Sequence, residues 1–308
     1  MILATIDIGT NTVLLLVARA DAGQGPVEVI EERAEITRLG RGIGVDGRLG
    51  TQGIDRSLAA LRQFAAVARQ HGARIAAVGT EALRRAPNAA DFLTPAEAIL
   101  GVPIEVIDGA REAALTFQAV RAAFSDTRTG PVTVIDIGGG STEIVIANDG
   151  EPSYRTSLPL GSVRLTELFI RHDPPEPADI DALTKAVDEA VSPVPFPTKG
   201  APLVGVAGTV TSLAAMALAL ESYDSTRVHG YRMPIADLDH QLDRLAHAAA
   251  AERERMVGLD PRRADVILAG GLILDRIARA AGATEVRVSD RGIRWGLLQE
   301  ILEAAPAA

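Results

Sequence analysis

The chain has 308 residues, of which 47% are hydrophobic and 23% charged; this is the composition of a globular protein with a sizeable core, and it excludes a disordered chain. A formal net charge of −9 argues against a surface that binds nucleic acid or anionic membranes, although a site for an anionic ligand can still be built locally. The absence of cysteine excludes a disulfide framework and a thiol nucleophile, and five scattered histidines argue against a zinc enzyme.

The first part of the chain is predicted to begin with strands and then to alternate between strands and helices. Strands are predicted at residues 2–6, 12–19, 27–35, 75–79 and 104–107. Helices are predicted at residues 57–71, 94–100 and 110–124.

After the polar, turn-forming segment 125–131, the same order of elements starts again. Strands are predicted at 132–135, 142–147, 155–158, 203–207 and 285–288, and helices at 162–170, 179–191, 209–220, 235–251, 264–281 and 292–302. We therefore predict an N-terminal lobe at 1–125 and a C-terminal lobe at 126–308, with the last helix left free to pack on the first lobe.

One short motif occurs in both halves, about one domain length apart. It consists of a strand, an aspartate, an apolar residue, a glycine turn with hydroxyl side chains, and a second strand; the aspartates are Asp7 and Asp136. Two similar α/β lobes, each with a glycine turn at the ends of its strands, predict a ligand held in the cleft between the lobes.

The two turns have the composition of an anion site. Glycine allows successive backbone N–H groups to point at one spot, and side-chain donors are added by Thr10, Asn11, Thr12, Ser141 and Thr142. An aspartate would repel a phosphate unless a divalent cation lies between them, and Asp136 and Glu143 are close enough in sequence to approach one ion. The alternative for each turn is a simple hairpin connection.

Four further features have both a functional and a structural interpretation. Gly208 and Thr209 follow a buried strand and open a helix, where N–H groups suit phosphate or a threonine caps the helix. Arg84 either clamps phosphate oxygens or is a solvated side chain. Glu112, in a first helical turn, is either catalytic or favourable to the helix dipole. His229 either contacts a ligand or is a loop histidine.

The order of these motifs resembles that of the Ppx/GppA phosphatases, which are exopolyphosphatases and guanosine pentaphosphate phosphohydrolases of the actin/Hsp70/sugar-kinase superfamily. The resemblance runs from Ile6 to about Leu298, and its most specific parts are Asp-Ile-Gly-Gly-Gly-Ser-Thr-Glu at 136–143 and Gly-x-x-Glu-Ala at 109–113. It implies an α/β, two-lobed actin-like (ribonuclease H-like) fold with duplicated domains and an interdomain cleft, in the short two-domain form. Trp295 departs from the family pattern, in which we expect an acidic residue; this departure concerns either local packing or a contact at the substrate rim.

The resemblance also implies a role for each site residue. Glu112 matches the glutamate that activates water, and Arg84 matches a phosphate-binding arginine. Asp136 and Glu143 match the carboxylates of a magnesium site, with Asp7 as a less closely matching candidate. The phosphate-binding positions are Gly9, Thr10, Asn11, Thr12, Gly138, Gly139, Gly140, Ser141, Thr142, Gly208 and Thr209.

The activity implied by the resemblance is hydrolysis of the terminal phosphoanhydride of inorganic polyphosphate, with Mg²⁺ or another divalent cation as cofactor. Hydrolysis of guanosine pentaphosphate (pppGpp) is the alternative, and a non-hydrolytic nucleotide sensor or a kinase of the same superfamily is more remote. With no basic leader and no long apolar run, the sequence predicts a cytoplasmic protein that binds neither nucleic acid nor membrane. The oligomeric state, a homodimer included, is left open.

Overall fold

The structure is a computed structural model that describes residues 1–20, 27–43, 47–197 and 200–304. The chain divides into two compact units: unit 1 comprises Met1–Ala122 and Ile293–Ala308, and unit 2 comprises Ala123–Gly292. The first division therefore lies close to the predicted boundary at 125, and the last helix belongs to the unit built by the first part of the chain.

The bounds of the regular elements follow chain order. The strands are β1 (Ile2–Ile8), β2 (Thr12–Arg19), β3 (Glu28–Ile36), β4 (Arg74–Gly79), β5 (Ile104–Val106), β6 (Pro131–Ile137), β7 (Thr142–Asn148), β8 (Glu151–Leu158), β9 (Leu203–Val206), β10 (Arg232–Pro234) and β11 (Glu285–Ser289). The helices are α1 (Thr51–Gln70), α2 (Glu81–Arg85), α3 (Ala90–Leu100), α4 (Gly109–Ala123), α5 (Ser162–Phe169), α6 (Pro177–Val191), α7 (Ala207–Ala217), α8 (Ser225–Val228), α9 (Ile235–His247), α10 (Ala250–Arg253), α11 (Ile267–Ala280) and α12 (Ile293–Ala304).

The sheets of the two units share one topology. The strand order is β3-β2-β1-β4-β5 in unit 1 and β10-β11-β9-β6-β7-β8 in unit 2. In each sheet three antiparallel strands, β1–β3 or β6–β8, are extended by two parallel strands, β4 and β5 or β9 and β11. Unit 2 adds β10 as an antiparallel edge strand. The predicted duplication is confirmed.

The central strands β1 and β6 are buried along almost their whole length. Their apolar runs, Ile2–Ile8 and Pro131–Ile137, are typical of strands covered on both faces. Because parallel strands β4 and β9 flank them, the turns that leave these strands lie at the same edge of the sheet as the β4–α2 and β9–α7 connections. This edge carries the site residues of each unit.

Several helix boundaries differ from the prediction because tertiary contacts decide them. Helix α1 begins at Thr51, six residues before the predicted start, since Gly53 packs closely on the backbone of the preceding loop: a Cβ there would lie 2.9 Å from the carbonyl oxygen of Arg38. Helix α11 begins only at Ile267 because a 3-10 turn, Pro261–Arg263, precedes it. Strand β10 escaped prediction because only its middle residue, Met233, is buried.

In the described ranges, no helix combines the length and the apolar character that crossing a bilayer requires.

Candidate functional site

The first glycine turn joins β1 to β2 in unit 1. The N–H of Gly9 donates to the carbonyl oxygen of Thr12 at 3.0 Å and closes the turn. The carbonyl oxygens of Thr10 and Asn11 accept hydrogen bonds from N–H groups that follow β3, including that of Gly40 at 2.8 Å. Gly40 is needed for this approach, because a Cβ there would lie 2.4 Å from Cγ2 of Thr10.

The second glycine turn joins β6 to β7 in unit 2 and is held by α5. The N–H of Gly138 donates to the carbonyl oxygen of Ser141 at 3.0 Å. The carbonyl oxygens of Gly138 and Gly139 accept from N–H groups at the start of α5, including that of Ser162 at 3.0 Å. A Cβ at Gly161 would lie 2.3 Å from the carbonyl oxygen of Gly139, so only glycine permits this contact.

In both turns, carbonyl oxygens accept hydrogen bonds from the protein, whereas several N–H groups donate to no described residue. Within the described ranges, no hydrogen bond uses the backbone N–H of Thr10 or Asn11 in the first turn, or of Gly139, Gly140 or Ser141 in the second. All five residues are buried. These N–H groups are therefore available to an acceptor that does not belong to the described part of the chain.

The hydroxyl groups of the turns are engaged with the protein itself. Thr10 Oγ1 donates to Glu81 Oε2 at 3.4 Å, and Ser141 Oγ donates to Glu143 Oε1 at 2.8 Å. Thr142 Oγ1 donates to a backbone carbonyl oxygen in the connection between β8 and α5. A hydroxyl has one proton to donate, so in this arrangement the three side chains orient neighbouring groups of the protein.

The third glycine turn leads from β9 into α7. Ala207 has a positive φ of 72°, and Gly208 and Thr209 form the first turn of α7. The guanidinium of Arg263 covers Gly208, since a Cβ there would lie 2.3 Å from Nη1 of Arg263. Burial lowers the pKa of Arg263 from its usual value. Sequence reasoning gave Arg263 no role, because only the fold brings its side chain to a helix N-terminus that already favours anions.

The predicted metal-binding carboxylates, Asp136 and Glu143, lie on neighbouring strands. They are directly opposite in the antiparallel register of β6 and β7, so both side chains are on one face of the sheet. Their exposed fractions are 7% and 4%. Oε1 of Glu143 accepts from Ser141 Oγ and from Ser157 Oγ, the latter at 2.6 Å, and these two donors orient the carboxylate.

This pair fits Mg²⁺, which usually takes one or two carboxylates and completes its coordination with water and phosphate oxygens. Across the described part of the chain, no group of three or more acidic or histidine side chains is arranged to hold a metal ion. Asp7 occupies in β1 the position of Asp136 in β6, but the residue opposite is Leu14. Asp7 belongs to unit 1, and the pair belongs to unit 2.

Glu112 is buried in the first turn of α4, where Asp108 starts the helix. The N–H of Glu112 donates to the carbonyl oxygen of Asp108 at 2.9 Å, and the preceding N–H donates to Asp108 Oδ1 at 2.8 Å. From α2, Nη1 of Arg84 donates to Glu112 Oε1 and to the carbonyl oxygen of Ile107, each at 2.6 Å. The structure thus brings the two predicted catalytic side chains into direct contact.

Helix α12 supports α4 within unit 1. Arg111, next to Glu112, donates through both Nη atoms to the two carboxylate oxygens of Glu300, and this interaction lowers the pKa of Glu300. Gly296 meets the backbone of α4 so closely that a Cβ there would lie 2.0 Å from the carbonyl oxygen of Leu115.

Trp295 is a core residue of unit 1. It packs with Leu3, Leu16 and Leu298, and its Nε1 donates to Glu32 Oε1 at 3.2 Å. The departure from the family pattern is therefore a matter of local packing.

His229 anchors the loop that follows β11. Its ring stacks on Phe124 with 4.8 Å between centroids, and its Nδ1 accepts from the N–H of Asp290 at 3.3 Å. Burial lowers its pKa to about 4, with Arg291 and Arg287 contributing by charge repulsion. These contacts are those of a neutral structural histidine.

Known proteins are similar to this chain along almost its whole length. The model of the Ppx/GppA phosphatase family matches residues 16–305. Exopolyphosphatase 2 of Mycobacterium tuberculosis is 34% identical over 312 residues, which cover 96% of this chain and 96% of that protein. Exopolyphosphatase 1 of Mycobacterium bovis is 32% identical over 315 residues, covering 99% of this chain and 89% of that protein.

Solved structures share the fold. The Ppx/GppA family member of Aquifex aeolicus has 33% sequence identity and a TM-score of 0.83, with 99% of both chains covered. An exopolyphosphatase from Cytophaga hutchinsonii has 26% identity and a TM-score of 0.89, with both chains covered completely. The predicted α/β fold with duplicated domains is confirmed. The chain belongs to the Ppx/GppA phosphatase family.

Proposed function

We propose that the protein hydrolyses the terminal phosphoanhydride bond of inorganic polyphosphate and releases orthophosphate. The observation that carries this proposal is the similarity, over nearly the full chain, to two mycobacterial exopolyphosphatases. The site residues support the same chemistry, because buried N–H groups suit the oxygens of a polyphosphate end and a buried carboxylate suits activation of water.

Glu112 is the proposed general base. Its carboxylate would orient the attacking water in line with the terminal phosphoryl group and take a proton from it. Arg84 would bind the phosphoryl oxygens, because its Nη2 and Nε make no hydrogen bond with the described residues and its side chain is 28% exposed. Phosphoryl transfer requires mainly positioning and charge stabilisation, and this pair supplies both.

Asp136 and Glu143 are the residues that we propose to hold Mg²⁺. When bound, the ion would neutralise charge on the phosphoryl oxygens. Ser141 and Ser157 would keep the Glu143 carboxylate oriented, and the N–H groups of the second glycine turn would donate to phosphate oxygens.

Guanosine pentaphosphate is the second candidate substrate, because its 5′ end presents the same phosphoanhydride chemistry. The test is kcat/KM for long polyphosphate and for pppGpp, measured with one magnesium-loaded preparation. We expect the higher value for polyphosphate; a higher value for pppGpp would reassign the substrate, and no phosphate release from either would contradict the hydrolase.

The proposed base is tested by Glu112→Gln. We expect kcat to fall by about 10²–10⁴-fold while polyphosphate binding is kept, because the substitution removes a base and preserves the shape of the side chain. The control is Glu189→Gln on α6, where the side chain is 70% exposed. Near-normal kcat in Glu112→Gln would return Glu112 to a helix-dipole role.

A further inference from the structure

The contact between Arg84 and Glu112 is unfavourable for a base that must accept a proton. A guanidinium nitrogen 2.6 Å from the carboxylate stabilises its ionised form, which lowers its affinity for a proton. A general base works best when its basicity matches the pH at which the enzyme operates. In this structure the carboxylate of Glu112 is paired with a cation, whereas a base must be able to accept a proton.

Arg84 is held less firmly than a second arginine nearby. It shares one nitrogen, Nη1, between Glu112 and the carbonyl oxygen of Ile107, and it stands on a helix of five residues. Arg111 instead engages both carboxylate oxygens of Glu300 with two nitrogens. Breaking the hydrogen bonds of one shared donor nitrogen costs less free energy than breaking such a bidentate ion pair.

We propose that the terminal phosphate of the substrate draws Arg84 away from Glu112, so that substrate binding itself generates the base. A phosphate group offers more negative charge than a carboxylate and a pair of oxygens that fits a guanidinium edge. Once Arg84 has changed partner, Glu112 gains proton affinity and can take a proton from water. This inference rests on the proposed function, whose base and substrate class it uses.

Other charged groups near the first turn of α4 are engaged elsewhere or fixed. Asp108, on the same turn, accepts a backbone N–H of that turn. Arg111, also on α4, pairs with Glu300 of α12 and, at 3.5 Å, with Glu105 of β5. Arg84 is a cation in direct contact with the Glu112 carboxylate, so we expect a change of partner by Arg84 to change the basicity of Glu112.

The kinetic test compares two pH profiles of polyphosphate hydrolysis. The acid limb of kcat/KM reports the free enzyme and that of kcat reports the complex. We expect the kcat limb of the wild type to lie at least about one pH unit higher, because pairing lowers the basicity of a carboxylate by this order. In Arg84→Met the two acid limbs should coincide. In the control, Arg69→Met, the separation should remain, because the arginine replaced there donates to a backbone carbonyl oxygen. Coincident limbs in an active wild type would overturn the exchange and leave the proposed function standing.

A second measurement needs no turnover. Calorimetry of inorganic phosphate binding at about pH 5, in buffers of different ionisation enthalpy, gives the number of protons taken up. We expect the wild type to take up more protons than Glu112→Gln or Arg84→Met. Each variant lacks one member of the Arg84–Glu112 pair, so phosphate binding cannot separate the pair there. Equal uptake, or no phosphate binding, would overturn the exchange. Failure to hydrolyse polyphosphate would contradict the proposed function separately, and the calorimetric result would still decide the exchange.

Discussion

The buried carboxylates of the two units differ in the groups that donate to them. Glu112 accepts from a guanidinium, which carries a charge and can move to a stronger anion. Glu143 accepts from two neutral hydroxyls, those of Ser141 and Ser157. The two hydroxyl donors orient the carboxylate of Glu143. This difference agrees with the proposed roles, a base for Glu112 and a metal ligand for Glu143.

The proposed magnesium site predicts a graded response at single residues. Glu143→Gln should raise the half-activating Mg²⁺ concentration by more than Ser157→Ala, for which about tenfold is expected because an orienting hydrogen bond is lost. Asp136→Asn should behave like Glu143→Gln. Ser153→Ala is the matched control on β8, because its hydroxyl donates only to the carbonyl oxygen of Ile146. Activity is measured against Mg²⁺ concentration, and full activity after exhaustive chelation would contradict the site.

His229 predicts a loss of stability in acid. Its pKa is about 4 in the folded protein against 6.5 in the reference state, so between these values the unfolded chain binds more protons. The free energy of unfolding should therefore fall as the pH is lowered from 6.5 to 4. His229→Asn, which keeps an acceptor for the N–H of Asp290, should show a smaller fall between pH 7 and pH 5 than the wild type. Urea unfolding measures the free energy of unfolding at each pH. The control is His247→Asn, because the side chain of His247 is 79% exposed. An equal fall in His229→Asn and in the wild type would show that His229 does not cause the loss of stability.

At the scale of elements, the β1–β2 and β6–β7 hairpins could be predicted because their glycine turns interrupt long apolar runs. Helix α4, with Glu112 in its first turn, could also be predicted, in this case from the helical spacing of its residues. The contact of Arg263 with Gly208 could not, because the two residues are distant in sequence and only the packing of α11 against α7 brings them together. The hydrogen bonds donated by the hydroxyl groups of Thr10 and Ser141 could not be predicted either, because composition does not show which oxygen accepts them.

The junction between the second glycine turn and α5 predicts a defect that affects binding and stability together. In Gly161→Ala the new methyl group would lie 2.3 Å from the carbonyl oxygen of Gly139, so the turn or the helix must shift. We expect a loss of about 1–3 kcal/mol in the free energy of unfolding and a raised KM for polyphosphate. Gly50→Ala is the control, because a Cβ there meets no atom within 4 Å. Urea unfolding and initial rates give the two quantities, and wild-type values for Gly161→Ala would show that the junction tolerates a side chain.

The whole molecule is built from one sheet topology used twice, yet its two copies carry different chemistry. The position opposite the strand aspartate is Leu14 in unit 1 and Glu143 in unit 2, so at this register position unit 2 has a carboxylate pair and unit 1 does not. The helix after β5 carries Glu112, whereas the equivalent helix after β11 is α12, which supports α4 in unit 1. The two copies therefore share a glycine turn and differ in their acidic residues, and we propose a base in unit 1 and a metal site in unit 2.

The net charge of the whole chain leads to the last prediction, which concerns how much of a long polyphosphate the protein holds. With a charge of −9, the surface offers phosphates beyond the glycine turns little attraction and some repulsion. We expect kcat/KM to rise over the first several phosphate units and then to level off. Each phosphate neutralised on a flexible polyanion makes the slope of log kcat/KM against log salt more negative by roughly 0.7, so a grip on two or three terminal phosphates predicts a slope of about −1.4 to −2.1. The measurement is kcat/KM for a series of chain lengths at two ionic strengths, with product sizes followed on a gel. A gain that continues to hundreds of units, together with a steep slope, would mean that a basic track outside the glycine turns binds the polymer along its length.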